Sequence, residues 1–238
     1  MSIRAITLDL DDTLWPIWPT IVQAEKQLHD WLSQHAPRTA RNYPILAMRD
    51  LRNRVIAQNP QLAHDLAAQR RLTLKHALHA SGEDAALAER AFEVFTVHRN
   101  IVDPFPGAIE ALGRLAENFP VAALTNGSAD LTRIGIDRHF VFLLGAHEHG
   151  VAKPDASIFH AACERLGVAP GEVLHVGDDP RLDVLGAQRA GLRAAWINRK
   201  AAPWPEPDGK PDYVVSDLGE LVERLWREFN FPEESSCP

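Results

Sequence analysis

The sequence predicts an α/β fold in which a parallel sheet is flanked by helices and a helical bundle is inserted after the first strand. From residue 107 onward, short apolar strand-like runs alternate with amphipathic helical segments, which is typical of βαβ units. The first strand and the second are separated by roughly 80 residues of helical pattern, far beyond the usual βα connection. These two observations predict one sheet and one insertion.

The first strand is predicted over residues 3–10 and ends in three carboxylates, Asp9, Asp11 and Asp12. An apolar run of this length crosses the core, so its last residues emerge at the sheet edge where open α/β sheets bind ligands. Acids this close repel one another unless a cation joins them, and a divalent cation with oxygen ligands is the simplest partner. The cluster predicts a metal site prepared for an anionic substrate such as a phosphoryl group.

The helical block over residues 19–101 predicts three or four helices that form a small bundle. The apolar positions that share a helix face are Ile21, Ala24, Leu28, Trp31 and Leu32, then Leu66, Leu72, Leu74, Ala77 and Leu78, and then Ala88, Ala91, Phe92 and Phe95. An insertion at this point lies over the carboxyl ends of the strands.

The rest of the chain alternates helices and strands. We predict helices over residues 107–118, 129–137, 155–167, 181–190 and 217–229, and strands over 121–125, 141–145, 173–177, 194–198 and 213–215. Residues 199–212, rich in Pro and charge, form a loop, and we expect residues 230–238 to fray.

Composition limits the partners and the compartment of the 238-residue chain. Lys and Arg number 25 and Asp and Glu 32, a formal charge of −7, and no long basic block attracts nucleic acid. The two cysteines, Cys163 and Cys237, lack metal-ligand spacing and fit a reducing compartment. No run of about 18 apolar residues occurs, so we expect no membrane span and a cytoplasmic protein.

Two later segments carry polar residues near predicted helix starts. Thr125 ends a strand and precedes Asn126-Gly127-Ser128, where a hydroxyl and backbone N–H groups can meet an anion. Taken alone, a helix cap or turn is the favoured interpretation. Lys153 precedes Pro154 just before another helix, and a lone Lys there is most often a solvated surface charge.

A further strand ends at Gly177 and leads into Asp178, Asp179 and Asp183. Capping of the following helix explains one of these acids but is strained as an explanation of all three. The segment therefore predicts additional carboxylates at the same sheet edge.

Together these segments resemble the motifs of the haloacid dehalogenase-like hydrolase superfamily, in the family's order and over almost the whole chain. The matching segments are Asp9-Leu10-Asp11-Asp12-Thr13, Leu124-Thr125-Asn126-Gly127, Lys153-Pro154 and Gly177-Asp178-Asp179-Pro180-Arg181-Leu182-Asp183, followed by Ala187, Ala190-Gly191 and Trp196-Ile197. The resemblance implies a Rossmann-like catalytic core from residues 1–15 and 103–238, with a helical cap over residues 16–102.

The resemblance also implies a phosphatase mechanism. Asp9 would attack phosphorus to give an aspartyl-phosphate, and Asp11 would protonate the leaving oxygen and then deprotonate water. Mg²⁺ would lie between the Asp9 carboxylate, the Asp11 backbone carbonyl and Asp178. Asp12 is expected to support the turn.

The remaining motif residues would bind the phosphoryl group. The resemblance implies that Thr125, the Asn126 backbone N–H and Lys153 hold phosphoryl oxygens and stabilise the transition state. Asp183 would orient Lys153 or a metal-bound water. Asp179 remains open between a capping role and a role in the site.

A charge count supports the assignment. Four acids and a phosphate monoester against Mg²⁺ and Lys153 leave roughly −3, so at least one carboxyl pKa should rise, with Asp11 the best candidate. Asp11 also favours phosphoryl transfer, because the dehalogenase branch of the superfamily lacks an acid at this position. A phosphomutase or a haloacid dehalogenase of the same superfamily, and a non-catalytic phosphate-binding module, remain as alternatives.

The substrate, a small phosphate ester, depends on the cap. Trp15 and Trp18 flank the first cap hinge, where hinge packing is favoured over stacking on a substrate ring. A solvated helix face is favoured for most of the cap cations Arg49, Arg52, Arg70, Arg71 and Lys75. The chain length, the Leu14-Trp15 step and the run from His175 look like bacterial flavin-pathway phosphatases acting on flavin mononucleotide or 5-amino-6-(5-phospho-D-ribitylamino)uracil.

Two further expectations concern metals and assembly. His147-Glu148-His149 invites a second metal site, but without a third ligand of fitting spacing a loop is favoured. A monomer and a homodimer are equally compatible with the sequence.

Overall fold

The computed structural model of this chain describes residues 2–229 and has a parallel sheet at its centre. The six strands are β1 (Ala5–Leu8), β2 (Val121–Thr125), β3 (Phe142–Gly145), β4 (Val173–Gly177), β5 (Arg193–Ile197) and β6 (Tyr213–Val215). Their order across the sheet is β3-β2-β1-β4-β5-β6, and every neighbouring pair is parallel. The predicted fold class is confirmed, although β1 is shorter than the predicted 3–10. The fraying expected for residues 230–238, and Cys237, lie outside the described residues.

The register of the central strands brings the polar motif residues together. Leu8 of β1 pairs with Ala123 of β2 and with Val176 of β4, so these three strands end almost level. All residues of β1, β2 and β4 are buried, as expected for a parallel sheet covered on both faces. The polar residues that follow the strands therefore meet at one edge.

The helices after β1 lie in two groups. Between β1 and β2 are α1 (Ile17–His35), α2 (Pro37–Asn42), α3 (Ile45–Gln58), α4 (Leu66–Ala80), α5 (Leu87–Arg99) and α6 (Ala108–Asn118). Later come α7 (Leu131–Ile134), α8 (Ala146–His149), α9 (Ala156–Leu166), α10 (Gly186–Arg189) and α11 (Leu218–Phe229). Short 3₁₀ turns occur at Pro60–Leu62, Asp137–His139 and Pro170–Glu172, and a π-helical segment at Pro180–Leu185.

Helices α1 to α5, here named the helical insertion (residues 17–99), pack around their own apolar cluster. Its buried members include Ala24, Leu28, Leu74 and Phe95. The prediction of three or four helices is wrong, because the insertion contains five α-helices. Proline explains part of the larger number of helices. Pro37 is the first residue of α2, where the backbone N–H has no partner within the helix, so its absence does not weaken the helix.

Three later elements differ from their predicted bounds. The helix expected over 129–137 is the four-residue α7 followed by a 3₁₀ turn, because Gly135 ends α7 in the left-handed region. The helix expected over 181–190 begins as the π-helical segment and continues as α10. The loop predicted for His147-Glu148-His149 is wrong, since these residues form α8 and Gly150 ends it. Among residues 2–229, no helix combines the length and apolar character needed to cross a membrane.

Candidate active site

Asp9 lies directly after β1, with its backbone N–H bonded to the Val176 carbonyl of β4 at 2.9 Å. The residue is 7% exposed. Lys153 Nζ lies 2.6 Å from Asp9 Oδ1, and the Thr13 hydroxyl lies 3.2 Å from Oδ2. The first carboxylate of the cluster is therefore buried, held from two sides and aimed at the sheet edge.

Lys153 joins Asp9 to a second buried acid, Asp183. Its ammonium donates to Asp183 Oδ1 at 2.7 Å, and the lysine is 3% exposed. The other Asp183 oxygen accepts the Asp179 backbone N–H at 2.9 Å. A Cβ atom at Gly177 would lie 2.3 Å from Asp183, so glycine is required where β4 ends. The solvated surface charge expected for a lone lysine does not apply, because two carboxylates stabilise this ammonium in the interior.

His175 extends this network into the sheet. The ring is fully buried in β4, with Nε2 3.2 Å from Asp183 Oδ1 and Nδ1 2.9 Å from the Thr7 hydroxyl. Burial lowers the pKa of His175, so the ring is neutral. Because a carboxylate only accepts, Nε2 carries the proton and Nδ1 accepts from Thr7. This hydrogen-bonded chain fixes the orientation of Asp183.

The two acids that share Lys153 have pKa values shifted in opposite directions. Burial raises the pKa of Asp9 against the attraction of Lys153, and the nearby Asp183 adds to the rise. Burial would also raise the pKa of Asp183, but Lys153 and the His175 hydrogen bond hold it well below its usual range. Burial alone would lower the pKa of Lys153, yet its two carboxylates raise it. The lysine charge is thus matched mainly by Asp183, and Asp9 is left needing a further cation.

Asp178 completes a group of acids that can hold a metal ion. Asp9, Asp178 and Asp183 offer carboxylate oxygens that all lie within 4.8 Å of one another. Burial and the like charges of Asp183 and Asp12 raise the pKa of Asp178 to about 7. A bound divalent cation would offset both raised pKa values, and hard carboxylate oxygens are the donors that Mg²⁺ prefers. The donor set therefore fits such an ion.

Asp11, the predicted acid and base, contacts the helical insertion. Arg99 at the end of α5 donates from Nη2 to the two Asp11 oxygens at 2.7 and 2.6 Å, and Trp15 Nε1 donates at 2.9 Å. A Cβ atom at Gly127 would lie 2.3 Å from Asp11 Oδ2 and 3.1 Å from the Thr125 hydroxyl. The structure assigns the raised carboxyl pKa values to Asp9 and Asp178, and it gives Asp11 a cationic partner that the sequence did not indicate.

The loop after β2 lies beside Asp11. Thr125 is 1% exposed, and its hydroxyl accepts the Gly127 backbone N–H at 2.9 Å. The Asn126 side chain bonds to the Lys153 backbone twice: Nδ2 donates to the carbonyl at 2.9 Å, and Oδ1 accepts the N–H at 2.8 Å. The hydroxyl and the ammonium expected to bind phosphate are therefore tied together through Asn126.

Two other acids of the motifs have local structural roles. Asp179 Oδ1 accepts the N–H groups of Arg181 and Leu182 at 2.8 Å each, which confirms the capping alternative. Asp12 adopts a φ of 60° and accepts the Ile17 N–H at 3.0 Å, as expected for a turn residue.

A cavity of about 840 Å³ opens between the helical insertion and this edge of the sheet. Asp11 and Gly127 line it from the sheet side, and Trp18 and Arg70 line it from the insertion. Trp15 is fully buried, which agrees with hinge packing, whereas Trp18 is 59% exposed with Arg49 Cζ 4.7 Å from its ring centroid.

The predicted site residues gather at one edge of the sheet, and the structure adds three that sequence reasoning missed. Arg99, His175 and the Asn126 side chain all support residues of the motifs. Arg99 is separated from Asp11 by 88 positions, so no local pattern connects them. His175 lies in a strand whose residues are all buried, where a polar residue among apolar neighbours was the available signal.

Comparison with known proteins agrees with this geometry. The model of the haloacid dehalogenase-like hydrolase family matches residues 3–191. The 5-amino-6-(5-phospho-D-ribitylamino)uracil phosphatase YigB of Escherichia coli is 35% identical over 82% of this chain and 83% of its own length. Phosphoserine phosphatase of Thermus thermophilus is 37% identical over 64% of this chain and 63% of its own.

A solved structure titled 2-haloacid dehalogenase, from Pseudomonas syringae pv. Tomato, is 40% identical with a TM-score of 0.89. The match covers 95% of this chain and 99% of that one. The family model, the relatives and the arrangement of Asp9, Lys153 and Asp178 agree: the chain belongs to the haloacid dehalogenase-like hydrolase family.

Proposed function

We propose that this protein is a Mg²⁺-dependent phosphatase of a small phosphorylated metabolite, and that the helical insertion acts as a cap over its site. The observation that carries the proposal is the pair Asp9 and Asp11 at one strand end, with Asp11 against Gly127 and Arg99. A nucleophile and a separate acid are what ester hydrolysis with a poor leaving group requires.

In the proposed reaction, an Asp9 oxygen attacks phosphorus and the ester oxygen leaves with a proton from Asp11. Water, deprotonated by Asp11, then attacks the phosphorus of the aspartyl-phosphate and restores the Asp9 carboxylate. Lys153, the Thr125 hydroxyl and the Asn126 backbone N–H would bind the phosphoryl oxygens and stabilise the charge that develops on them.

Asp9 and Asp178, with the Asp11 backbone carbonyl, would hold Mg²⁺. Asp183, the third member of the acidic group, already accepts hydrogen bonds from Lys153, His175 and Asp179, which supports an orienting role. When bound, the ion would lower the pKa of Asp9, so that the nucleophile is ionised, and would polarise the phosphoryl group.

A dehalogenase is the second candidate, because the 40% identical solved structure carries that title. Halide leaves without a proton, so a dehalogenase has no use for an acid at position 11. The presence of a carboxylic acid at position 11, where Asp11 lines the cavity, supports the phosphatase instead. Chloride release from a 2-haloacid, without Mg²⁺-dependent hydrolysis of any phosphate ester, would reverse this preference.

Replacement of the nucleophile tests the mechanism. We expect Asp9→Asn to lower Mg²⁺-dependent turnover of 4-nitrophenyl phosphate by about 10⁴-fold or more, because the aspartyl-phosphate cannot form. The matched control is Asp12→Asn, an exposed acid in the same turn whose positive φ asparagine tolerates. Undiminished turnover by purified Asp9→Asn would show that the aspartyl-phosphate mechanism is wrong.

For the substrate we propose the flavin-pathway compounds, 5-amino-6-(5-phospho-D-ribitylamino)uracil or flavin mononucleotide. The 35% identical Escherichia coli phosphatase supports this choice. The 840 Å³ cavity is large enough for a ring, and the exposed Trp18 in its wall offers an aromatic surface for it. A panel of phosphorylated metabolites assayed with Mg²⁺ tests it, and a strong preference for a small sugar phosphate over both compounds would contradict it.

A further inference from the structure

Arg70 of α4 is a buried cation without a counter-ion. The residue is 8% exposed and lines the cavity shared with Asp11. Its guanidinium lies over the Phe95 ring, with Cζ 3.4 Å from the centroid. Within residues 2–229 the structure gives its side chain no hydrogen bond and no ion pair. An unpaired buried charge is costly, so a ligand that pairs with it would be strongly favoured.

The neighbouring arginine provides an internal comparison. Arg71 also lies over an aromatic ring, with Cζ 3.7 Å from the Phe92 centroid. Unlike Arg70, it is half-buried and donates to Glu89 at 3.0 Å. The half-buried Arg71 therefore has both an aromatic ring and a carboxylate as partners. The more buried Arg70 has the aromatic ring but no anion.

The surroundings of Arg70 do not supply that anion. Glu25 is the carboxylate whose charge acts on Arg70, and Arg49 already donates to it from Nε at 2.7 Å and from Nη2 at 2.6 Å. Arg52 also lines the cavity, and its buried Nε lacks a hydrogen-bond partner. Burial, followed by the charge of Arg52, lowers the pKa of Arg70 to about 9. Arg49, Arg52 and Arg70 therefore have Glu25 as a neighbouring carboxylate, and Arg49 already pairs with it.

We propose that Arg70, assisted by Arg52, binds acceptor oxygens at the end of the substrate opposite the transferred phosphoryl group. This inference rests on the proposed function, and it names the part of the substrate that the cap recognises. A planar guanidinium offers paired N–H donors, which fit either a carboxylate or the carbonyl oxygens of a dioxo ring. The carbon body between the two ends would lie against Trp18 and Phe95.

Matched substrate pairs test the inference. One pair is 3-phosphoglycerate and glycerol 1-phosphate, which differ by a carboxylate; the other is flavin mononucleotide and ribitol 5-phosphate, which differ by a dioxo ring. For each pair, kcat/KM is measured for the wild type and for Arg70→Met. Within each pair, the preference is the kcat/KM of the ester with the carboxylate or ring divided by that of the ester without it. We expect Arg70→Met to lower this ratio within one pair by about 10- to 100-fold, the effect of a lost charge-assisted hydrogen bond.

The pair that responds identifies the source of the oxygens. Arg70→Lys should keep part of the carboxylate preference, because charge remains, and should lose the ring preference, because the planar fork is gone. Ratios that are the same in wild type and Arg70→Met for both pairs would overturn the inference.

A binding measurement separates this inference from the proposed function. If the wild type hydrolyses none of the four esters, the phosphatase proposal fails, and calorimetric titration with glycerate and with riboflavin still tests Arg70. We expect one of these leaving groups to bind the wild type at least tenfold more tightly than Arg70→Met. Equal affinities of the wild type and Arg70→Met for each leaving group, or no binding of either leaving group by the wild type, would overturn the inference.

Two controls guard against a folding effect. Arg54→Met removes an exposed arginine from α3, the helix that carries Arg52, and should leave every ratio as in the wild type. Because Arg70→Met removes an unpaired buried charge, its melting temperature without ligand should be equal to or above that of the wild type. A large fall in melting temperature would indicate a structural role and contradict the inference.

Discussion

The sheet edge and the helical insertion, here named the sheet wall and the insertion wall of the active site, carry opposite charge surpluses. On the sheet side, Asp9 and Asp183 share the ammonium of Lys153. On the insertion side, Arg49 pairs with Glu25, while neither Arg52 nor Arg70 has an ion pair among residues 2–229. The sheet wall thus lacks a cation and the insertion wall lacks an anion, so one metal ion and one substrate with oxygens at both ends would neutralise both.

The walls also differ in rigidity. Buried side chains on short strand-end loops hold the sheet wall through hydrogen bonds of 2.6 to 3.2 Å. On the insertion wall, several arginines lie over aromatic rings at 3.4 to 4.7 Å from the ring centroids. Such contacts constrain position less than charged hydrogen bonds do, so we expect chemistry to be fixed by the sheet and selectivity by the insertion.

The largest effect is expected from Lys153→Met, which removes the cation of the sheet wall. It leaves Asp9 and Asp183 buried without their partner, and we expect a loss of about 3–5 kcal/mol in the free energy of unfolding together with loss of phosphatase turnover. Urea unfolding measures the first and 4-nitrophenyl phosphate hydrolysis the second. Lys200→Met, at an exposed position, is the control.

The pH dependence of that loss has a definite sign. Lys153 lowers the pKa of Asp183 in the folded protein, so its contribution to stability is present above the pKa of the unfolded chain, about 4, and disappears as pH falls below it. Without Lys153, burial would raise the same pKa, so the penalty grows as pH rises above about 4. The stability difference between wild type and variant should be larger at pH 8 than at pH 5.

Arg99→Gln removes a contact between Asp11 on the sheet wall and α5 of the insertion wall. Because Arg99 holds both Asp11 oxygens, we expect kcat for a phosphate ester to fall by about 10- to 100-fold, with a smaller change in KM. In an Asp11→Asn variant, Arg99→Gln should lower kcat little further, since the two residues act as a unit. Arg90→Gln, exposed on the same helix, is the control, and full additivity of the two replacements would contradict a positioning role.

Binding of Mg²⁺ to the sheet wall should depend on pH. Metal binding requires ionised carboxylates, and the pKa of Asp178 is raised to about 7 while that of Asp9 is also raised. We expect the association constant to fall by about tenfold for each carboxyl and each pH unit below its pKa. Calorimetric titrations between pH 6 and 8 measure this change, and affinity independent of pH would refute the linkage.

The metal-free protein should show the opposite trend in stability. Asp178 ionises near pH 4 when unfolded and near pH 7 when folded, so its contribution makes stability fall as pH rises between these values. Asp178→Asn should remove this contribution. Melting temperatures measured with a chelator, in wild type and variant, test the sign.

The smallest effect is expected at Glu89, on the solvent side of the insertion. Its carboxylate is 57% exposed and contacts Arg71 at 3.0 Å and Lys75 at 3.9 Å. Exposed ion pairs contribute little, so Glu89→Gln should change the free energy of unfolding by less than about 1 kcal/mol and leave kcat unchanged. The solvated face predicted for most of the cap cations fits Lys75 but is wrong for the others, because Arg70 is buried and Arg49, Arg52 and Arg71 are half-buried. A loss as large as that of Lys153→Met would contradict the contrast between the walls.

The sheet wall was largely predictable because its residues stand at strand ends. Parallel strands that end level bring Asp9, Thr125 and Asp178 together without knowledge of any side-chain contact. The capping role of Asp179 and the two contacts of Lys153 were not decided by the sequence, because they depend on rotamers and on burial.

The insertion wall was not predictable in this way. Helical periodicity locates an apolar face but does not say that Arg70 and Arg71, adjacent on α4, both line the cavity, or that Arg71 pairs with a carboxylate and Arg70 does not. The contact between Arg99 and Asp11 depends on how the insertion packs on the sheet, and the sequence separation of 88 residues hides it. Five helices occur where three or four were expected because helix breaks within an apolar periodic region give only weak signals.

The two hydrogen bonds between the Asn126 side chain and the Lys153 backbone have an entropic consequence. They hold the loop after β2 against the backbone of the lysine segment, while Asp9 and Asp183 hold the Lys153 ammonium, so the Thr125 hydroxyl and this ammonium are positioned together. The conformational freedom of both groups is lost when the chain folds, and little remains to be lost when a phosphoryl group arrives. Part of the entropy cost of organising the transition state is thereby shifted to the folding reaction.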